Sequence, residues 1–189
     1  MEEGIAGADN GVGGAAVELP LGCDPSTPGL ALKDWVGVFS IRAAASQLCL
    51  HKGDVTTLMT TVTPADTAYS VGLNDTCQFN EWMLEADSLG YYEVISLEVE
   101  NRVLDIETGR ADEGTRAVLY SPRTSATAHQ RFYFVERAAG TFGIVPRHAT
   151  GKCVTDTPDG LQIWQCQAEN SAQSWQLYSA ACVPSSPEP

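Results

Sequence analysis

The sequence contains six cysteines and three histidines, the side chains that most often bind metal ions or act as nucleophiles. No two cysteines form a C-x-x-C pair, and His51, His129 and His148 do not supply the close pairs that a zinc site needs. An even number of cysteines without metal-ligand spacing instead favours disulfide bonds, which persist in oxidising compartments. The cysteines therefore predict a protein that is secreted or held on the extracellular surface.

The carboxylates form no pattern that is typical of catalysis. Glu98 and Glu100 would share one face of a strand, and such a face is usually solvated. Asp54, Asp66 and Asp75 have a spacing that matches no known calcium-binding loop. The sequence also lacks the G-x-S-x-G, H-E-x-x-H, phosphate-loop and dinucleotide-binding signatures. We therefore expect no enzymatic activity, no cofactor and no bound metal.

The charge balance excludes two classes of partner. The chain carries 24 Asp and Glu against 11 Lys and Arg, a net charge of −13. Binding to nucleic acid or to an anionic membrane surface needs a concentration of basic residues that this chain lacks. No apolar run approaches the roughly 18 residues that cross a bilayer, so we expect no membrane insertion. Residues 1–14 show neither the basic nor the apolar region of a signal peptide.

The elements that must position any site come from an internal repeat with a period of roughly 45 to 50 residues. Each repeat opens with Gly-x-aromatic before an apolar strand, reaches a second short strand, and closes on a polar-x-aromatic triplet before another strand. We expect the aromatic side chain that ends each triplet to lie in the core. The openings are Gly37-Val-Phe39, Gly90-Tyr-Tyr92 and Gly140-Thr-Phe142, and the triplets are Asn80-Glu-Trp82, Gln130-Arg-Phe132 and Gln173-Ser-Trp175.

The repeats also set the predicted domain limits. They are expected at about 35–86, 90–137 and 140–180, inside one domain that spans residues 35–182. Residues 1–34 are acidic and rich in Gly, Ala and Pro, and residues 183–189 are rich in Pro. Both segments are predicted to be tails or linkers because they offer little apolar surface to bury. A β-propeller blade has a similar length, but three blades are too few to close a ring.

The most complete repeat is the third. A tight turn is predicted at Pro158-Asp159-Gly160, because Pro presets the first turn angle and Gly accepts a positive φ. Cys153 and Cys166 flank this turn, at the beginning and end of two strand-like runs. The sequence therefore predicts a β-hairpin here.

Three repeats with Q-x-W-like triplets and cysteines that bracket a turn resemble the ricin B-type lectin family. The resemblance covers about residues 35–180 and is strongest in the third repeat. It implies an all-β fold, a β-trefoil of three four-stranded repeats with pseudo-threefold symmetry. It also implies three disulfides: Cys153–Cys166, Cys49–Cys77 and Cys23–Cys182.

In that family a sugar is held by an aspartate two residues after the first cysteine position, by an aromatic ring two residues before the second, and by an Asn-Gln pair that begins the triplet. The ring covers the apolar face of the sugar, and the carboxylate accepts strong hydrogen bonds from hydroxyl groups. The resemblance therefore implies a carbohydrate site in the second repeat at Asp105, Tyr120, His129 and Gln130. His129 stands where the family has asparagine. Residues 108–114 would rim this site.

The resemblance implies a second carbohydrate site in the third repeat, at Gln162, Trp164 and Gln173. This site departs from the family pattern, because Thr155 replaces the aspartate and Ala172 replaces the asparagine. Trp164 falls among the outward-facing residues of its predicted strand.

Two further positions bear on these sites. Asp156 follows Thr155, but a step of one residue along a strand turns its side chain to the opposite face unless a bulge intervenes. In the first repeat His51 and Asp75 stand at the aspartate and aromatic positions, so no sugar site is expected there.

The resemblance implies a non-catalytic carbohydrate-binding module that recognises a galactose-type or other hexose residue on a glycan or glycoprotein. No repeat keeps the full polar set, so a second hypothesis is a trefoil with degenerate sugar pockets that serves a structural role or binds proteins. A third, compatible with the first, is an accessory domain fused to or associated with a catalytic or structural subunit, as in a hydrolase or toxin.

Overall fold

The computed structural model describes residues 37–56, 67–77, 81–125, 127–137 and 140–179. These residues form strands and short 3-10 turns without an α-helix, and none of their helical segments is long and apolar enough to cross a membrane. The strands are β1 (Gly37–Ala43), β2 (Cys49–Thr56), β3 (Ala68–Asn74), β4 (Trp82–Ala86), β5 (Tyr92–Ser96), β6 (Val103–Ile106), β7 (Thr115–Tyr120), β8 (Phe132–Glu136), β9 (Phe142–Pro146), β10 (Lys152–Thr157), β11 (Gly160–Gln165) and β12 (Trp175–Ser179).

Six of these strands close a barrel. Antiparallel pairing runs from β1 to β4, β5, β8, β9 and β12, and β12 pairs with β1 again. Because the ring is closed, each of its six strands pairs with a neighbour on both sides. Closure removes the exposed strand edges that invite aggregation. Each repeat contributes its first and last strand to the barrel.

The other six strands form three hairpins, β2–β3, β6–β7 and β10–β11. The hairpins meet one another through β7, which pairs with β11 near its start, at Thr115 and Arg116, and with β3 near its end, at Val118 and Leu119. A six-stranded barrel with three hairpins, one from each of three repeats, defines the architecture. The fold is a β-trefoil. The predicted all-β class and trefoil arrangement are therefore confirmed.

The core follows from the alternation of side chains along the strands. In β5, Tyr92, Val94 and Ser96 are buried while the residues between them are partly exposed, as expected for a pleated strand with one face inward. Complete burial of a large apolar side chain stabilises the fold by about 1.5–3 kcal/mol. The largest apolar side chains without exposed surface are Trp82, Trp175, Phe132, Ile41, Leu84, Ile106, Leu119 and Ile163.

The aromatic residues of the triplets are core residues, as predicted. The indole Nε1 of Trp82 donates a hydrogen bond of 3.0 Å to the carbonyl of Leu50, and Nε1 of Trp175 donates one of 3.1 Å to the carbonyl of Val154. Each bond ties the last strand of a repeat to the second strand of the same repeat. Phe132 fills this place in the second repeat with no donor of its own, and it too is fully buried.

Two predicted disulfides are confirmed, Cys49–Cys77 and Cys153–Cys166, with Cα–Cα distances of 5.3 and 5.0 Å. The predicted pair Cys23–Cys182 lies outside the described residues, as do the predicted tails at 1–34 and 183–189. The predicted turn at residues 158–160 is confirmed as the short connection between β10 and β11, with Gly160 at φ +95°.

Candidate functional site

The structure brings Asp105, His129 and Gln130, three of the four predicted residues of the second repeat, into contact. Asp105 lies on β6, Tyr120 ends β7, and His129 and Gln130 lie in the 3-10 turn Thr127–Gln130. Gln130 Nε2 donates to Asp105 Oδ2 at 2.6 Å, and His129 Nδ1 lies 3.4 Å from Asp105 Oδ1. Asp105, His129 and Gln130 therefore form one connected cluster, and the Tyr120 ring contacts Arg123.

The cluster is closed, and this corrects the expectation of an open sugar pocket. Asp105 is 3% exposed, Tyr120 is 4% exposed and Gln130 is fully buried. The physical reason is the loop that follows Asp105. Its Gly109 packs on the imidazole of His129, where an added Cβ would lie only 3.2 Å from the ring. The groups that would hold a sugar bond to one another instead, and a role for them in sugar binding stays a prediction.

Burial shifts the pKa values of the two titratable groups of this cluster, Asp105 and His129, in opposite directions. Desolvation raises the pKa of Asp105 to about 7, although the hydrogen bond from Gln130 and the charge of Arg123 oppose the shift. Desolvation, together with the nearby His148 and Arg123, lowers the pKa of His129 to about 4. The short distance between Asp105 and His129 would make an ion pair only with a protonated imidazole. Because burial disfavours both charges, we assign a neutral His129 near neutral pH.

The triplet glutamines have a structural role that repeats with the fold. Gln130 Nε2 donates to Asp105 and to the carbonyl of Ser121, and its Oε1 accepts from the backbone N–H of Arg123. This set of bonds satisfies the whole side-chain amide of a residue that has no exposed surface.

Gln173 makes the same bonds in the third repeat. Its Nε2 donates to Thr155 Oγ1 and to the carbonyl of Gln165, both at 3.0 Å, and its Oε1 accepts from the N–H of Gln167 at 2.8 Å. Gln173 is therefore a buried clamp on its loop and is not available to a ligand.

The possibility that a bulge turns Asp156 into that site is not realised. The β10–β11 ladder is regular, with Thr155 opposite Gln162 and Asp156 opposite Leu161. Asp156 therefore points to the other face of its strand from Thr155. Partial burial raises the pKa of its carboxyl group.

Trp164 and Gln162 remain as the accessible part of the predicted third-repeat site. Trp164 is 40% exposed, and its Nε1 donates to Gln162 Oε1 at 3.0 Å. The bond fixes the indole beside the amide on one face of β11. Gly114 lies next to the ring, since a Cβ placed there would be 3.8 Å from Trp164 Cζ2. The arrangement is an aromatic platform with an adjacent amide.

An ion pair borders this platform. Glu113 Oε1 accepts from Lys152 Nζ at 2.8 Å and from the backbone N–H of Gln165 at 3.2 Å. These two hydrogen bonds lower the pKa of Glu113. Sequence reasoning placed residues 108–114 at the second-repeat site but missed their contact with Trp164. The contact crosses from one repeat to the next, so no spacing within a repeat could have indicated it.

The described residues contain no group of three or more His, Cys, Asp or Glu side chains placed to hold a metal ion. In the first repeat the His51 ring contacts the carbonyl of Lys52. Asp75, which stands where the family has an aromatic ring, is exposed. Neither arrangement provides a platform of the kind formed by Trp164.

Comparisons with known proteins agree on the fold. No family profile and no curated protein matches the sequence. Among solved structures, a designed threefold-symmetric protein, ThreeFoil, is 20% identical with a TM-score of 0.57, covering 76% of this chain and 99% of its own. A salivary protein of Culex quinquefasciatus from the Cysteine and Tryptophan-Rich family is 12% identical with a TM-score of 0.61, covering 76% and 94%. An exo-β-1,3-galactanase of Clostridium thermocellum is 18% identical with a TM-score of 0.57, covering 76% and 30%. At such identities the likeness shows the fold alone.

Proposed function

We propose that this protein is a non-catalytic carbohydrate-binding module and that its working site is the Trp164 platform of the third repeat. The observation that carries the proposal is the exposed indole of Trp164, held by a hydrogen bond to Gln162. Trp164, at 40%, is the most exposed aromatic side chain among the residues that the structure describes. The ring suits the apolar face of a hexose, and Gln162 offers an amide to a neighbouring hydroxyl group.

Supporting context comes from the proteins that share the fold. They include the exo-β-1,3-galactanase and a GlcNAcα1-4Gal-releasing endo-β-galactosidase of Clostridium perfringens, of which this chain covers 30% and 32%. We accordingly propose a galactose-type or other hexose residue as the ligand, on a glycan or glycoprotein. We also propose that the module acts in association with a larger catalytic or structural protein. The two disulfides support secretion or display on an extracellular surface.

A single shallow site of this kind binds weakly, because few ligand atoms are buried and the ordering cost must be offset. We therefore expect dissociation constants for galactose or lactose on the order of millimolar. Useful affinity would require linkage to a second binding domain or a multivalent surface.

A titration of galactose and lactose, followed by NMR shifts and preceded by a glycan array, tests this proposal. Trp164→Ala should remove binding, and Gln162→Ala should weaken it by about tenfold, the loss of one good hydrogen bond. Asp105→Asn is the matched control, because that side chain is closed off from solvent. If no glycan binds, or if Trp164→Ala binds as well as the parent, the proposal is wrong.

A structural or protein-binding trefoil with decayed sugar pockets is the second candidate. The closed second-repeat cluster favours it, since Asp105 and Gln130 are used internally. In that case Trp164 would be the anchor for a protein partner. Failure of every glycan on the array to bind the intact, folded module would favour this candidate.

A further inference from the structure

The third-repeat disulfide has an arginine beside one of its sulfur atoms. Arg137 Nη2 donates to Cys153 Sγ at 3.3 Å and lies 3.4 Å from Gln173 Oε1. Its Nη1 donates to the carbonyls of Gln167 and Ala168 at 2.7 and 3.3 Å. The guanidinium is thus held in place by the loop that follows Cys166. It is a fixed positive charge next to a sulfur atom.

A glycine makes room for this arginine. A Cβ at Gly143 would lie 2.8 Å from Arg137 Nε and 3.2 Å from Nη2. Gly143 is buried on β9, opposite Val135 on β8. Arg137 can therefore lie flat on the barrel and reach the disulfide. Burial lowers the pKa of Arg137, which reflects the same tight placement.

A groove of about 530 Å³ opens beside the two sulfur atoms. Cys153 and Cys166 both line it, and the charged residues of its lining are Glu136, Arg137 and Glu169. Cys153 is 2% exposed, whereas Cys166 is partly exposed. A small molecule in the groove therefore has easier access to Cys166 than to Cys153.

We propose that Cys153–Cys166 is a reactive disulfide that exchanges with small external thiols in this groove. The thiolate of the external thiol attacks Cys166 Sγ and forms a new S–S bond. The Cys153–Cys166 bond breaks, and its electron pair stays on Cys153 as a thiolate beside the Arg137 guanidinium. A second external thiolate then attacks the mixed disulfide and releases Cys166 as a thiolate, so the protein disulfide is reduced and the external thiol is oxidised to its disulfide.

The chemistry favours this direction of attack. A cation next to a cysteine stabilises the thiolate, and a more stable thiolate leaves faster. The positions of Arg137 and the groove make Cys153 the leaving sulfur and Cys166 the attacked one. In the other described disulfide, Cys49–Cys77, no arginine or lysine of the described residues donates to either sulfur atom. That disulfide serves as an internal control within the same molecule.

The groove also selects among thiols. Glu136, Glu169 and Arg137 line it, so two carboxylates outweigh one guanidinium, and neither carboxylate forms an ion pair with a described residue. The proposed substrate class is therefore a cationic aminothiol, in preference to an anionic thiol.

The main experiment exposes the intact, folded protein to cysteamine, traps free thiols by alkylation over time and assigns them by peptide mass spectrometry. We expect Cys153 and Cys166 to be alkylated at least about tenfold faster than Cys49 and Cys77. Arg137→Gln should slow opening of Cys153–Cys166 by about tenfold and leave Cys49–Cys77 unchanged. Arg147→Gln, which removes an arginine stacked on Tyr91 without a sulfur contact, is the matched control and should react like the parent.

The internal disulfide also separates chemistry from unfolding. A variant that has lost its fold would open both disulfides faster than the parent does. In that case Arg137→Lys, which keeps the positive charge, tests the role of the charge, and it should retain most of the parental rate at Cys153–Cys166. Equal opening of both disulfides in the parent would overturn the proposal. So would an Arg137→Gln variant that stays folded and reacts at the parental rate.

A second measurement tests the thiol class. Rates per thiolate for cysteamine and for mercaptoethanesulfonate should differ by about fivefold or more in favour of cysteamine at low salt. The double change Glu136→Gln and Glu169→Gln should reduce this preference at Cys153–Cys166. A preference that is absent in the parent, or unchanged in the double variant, would contradict the assigned role of the groove.

Discussion

At Asp105 and His129, burial moves two pKa values in opposite directions, and the consequences for stability nearly cancel. The raised pKa of Asp105, about 7, contributes stability that is full below pH 3.8 and is lost as the pH rises to about 7. The lowered pKa of His129, about 4, contributes stability that is full above pH 6.5 and is lost as the pH falls to about 4. Between about pH 4 and pH 6.5 the two residues together bind one proton in the folded chain and one in the unfolded chain, so their joint effect on stability hardly changes with pH.

Asp105→Asn should reveal the pH dependence of stability that is due to His129 alone. The amide oxygen can still accept from Gln130, but only His129 then titrates. The free energy of unfolding should fall as the pH is lowered from 6.5 to about 4, by up to roughly 3 kcal/mol, whereas the contribution of this pair in the parent stays nearly flat. Urea unfolding at pH 4.5, 5.5 and 7 measures this, with exposed Asp112→Asn as the control. A variant with the parental pH profile would show that His129 is not buried in its neutral form.

The triplet glutamines give a second prediction for single residues. Gln173→Ala should cost about 2–4 kcal/mol, because it removes four side-chain hydrogen bonds, one of them from Arg137, and leaves the N–H of Gln167 without its acceptor. Gln167→Ala, at an exposed side chain in the same loop, should change stability by less than about 0.5 kcal/mol. Chemical denaturation of both variants and the parent measures these changes in the free energy of unfolding. A loss below about 1 kcal/mol for Gln173→Ala would argue against the clamp.

At the scale of an element, each repeat is closed by one aromatic residue under its hairpin. Trp175→Phe should remove the bond to the Val154 carbonyl and leave a small cavity, at a cost of about 1–3 kcal/mol. The second repeat already has Phe132 at this position, so the fold should survive. Thermal unfolding would report the loss as a lower Tm with an unchanged circular-dichroism spectrum of the folded state. Loss of the fold would mean that the indole hydrogen bond is essential in the third repeat.

The sequence predicts the elements better than the site. Gly-x-aromatic openings, triplets and flanking cysteines indicate the strands and two disulfides, because each depends on spacing within one repeat. The burial of Asp105 and the platform at Trp164 depend on where Gly109 and Gly114 lie, and those positions are set by packing between repeats. Spacing within a repeat carries no information about that packing.

At the scale of the whole molecule, the barrel closes only when all three repeats are present. A chain of residues 37–137 would keep β1 and β8 but lose the strands that join them, β9 and β12. It would expose two barrel edges and much of the core, including the surfaces now packed on Trp175. We expect this chain to aggregate or to unfold without a cooperative transition. Residues 37–179 under the same conditions provide the comparison, and a soluble two-repeat chain with a sharp urea transition would be the contrary result.

The glutamine clamp has a consequence for the aspartate position of the repeats. The buried Nε2 of the triplet glutamine needs only an oxygen opposite it, and Asp105 and Thr155 both provide one. A carboxyl group and a hydroxyl group at that position can therefore both hold the loop in this fold. In this chain the aspartate at this place serves the loop, and on its own it does not indicate a ligand site. The exposed indole of Trp164, held by Gln162, is the more informative feature of this chain.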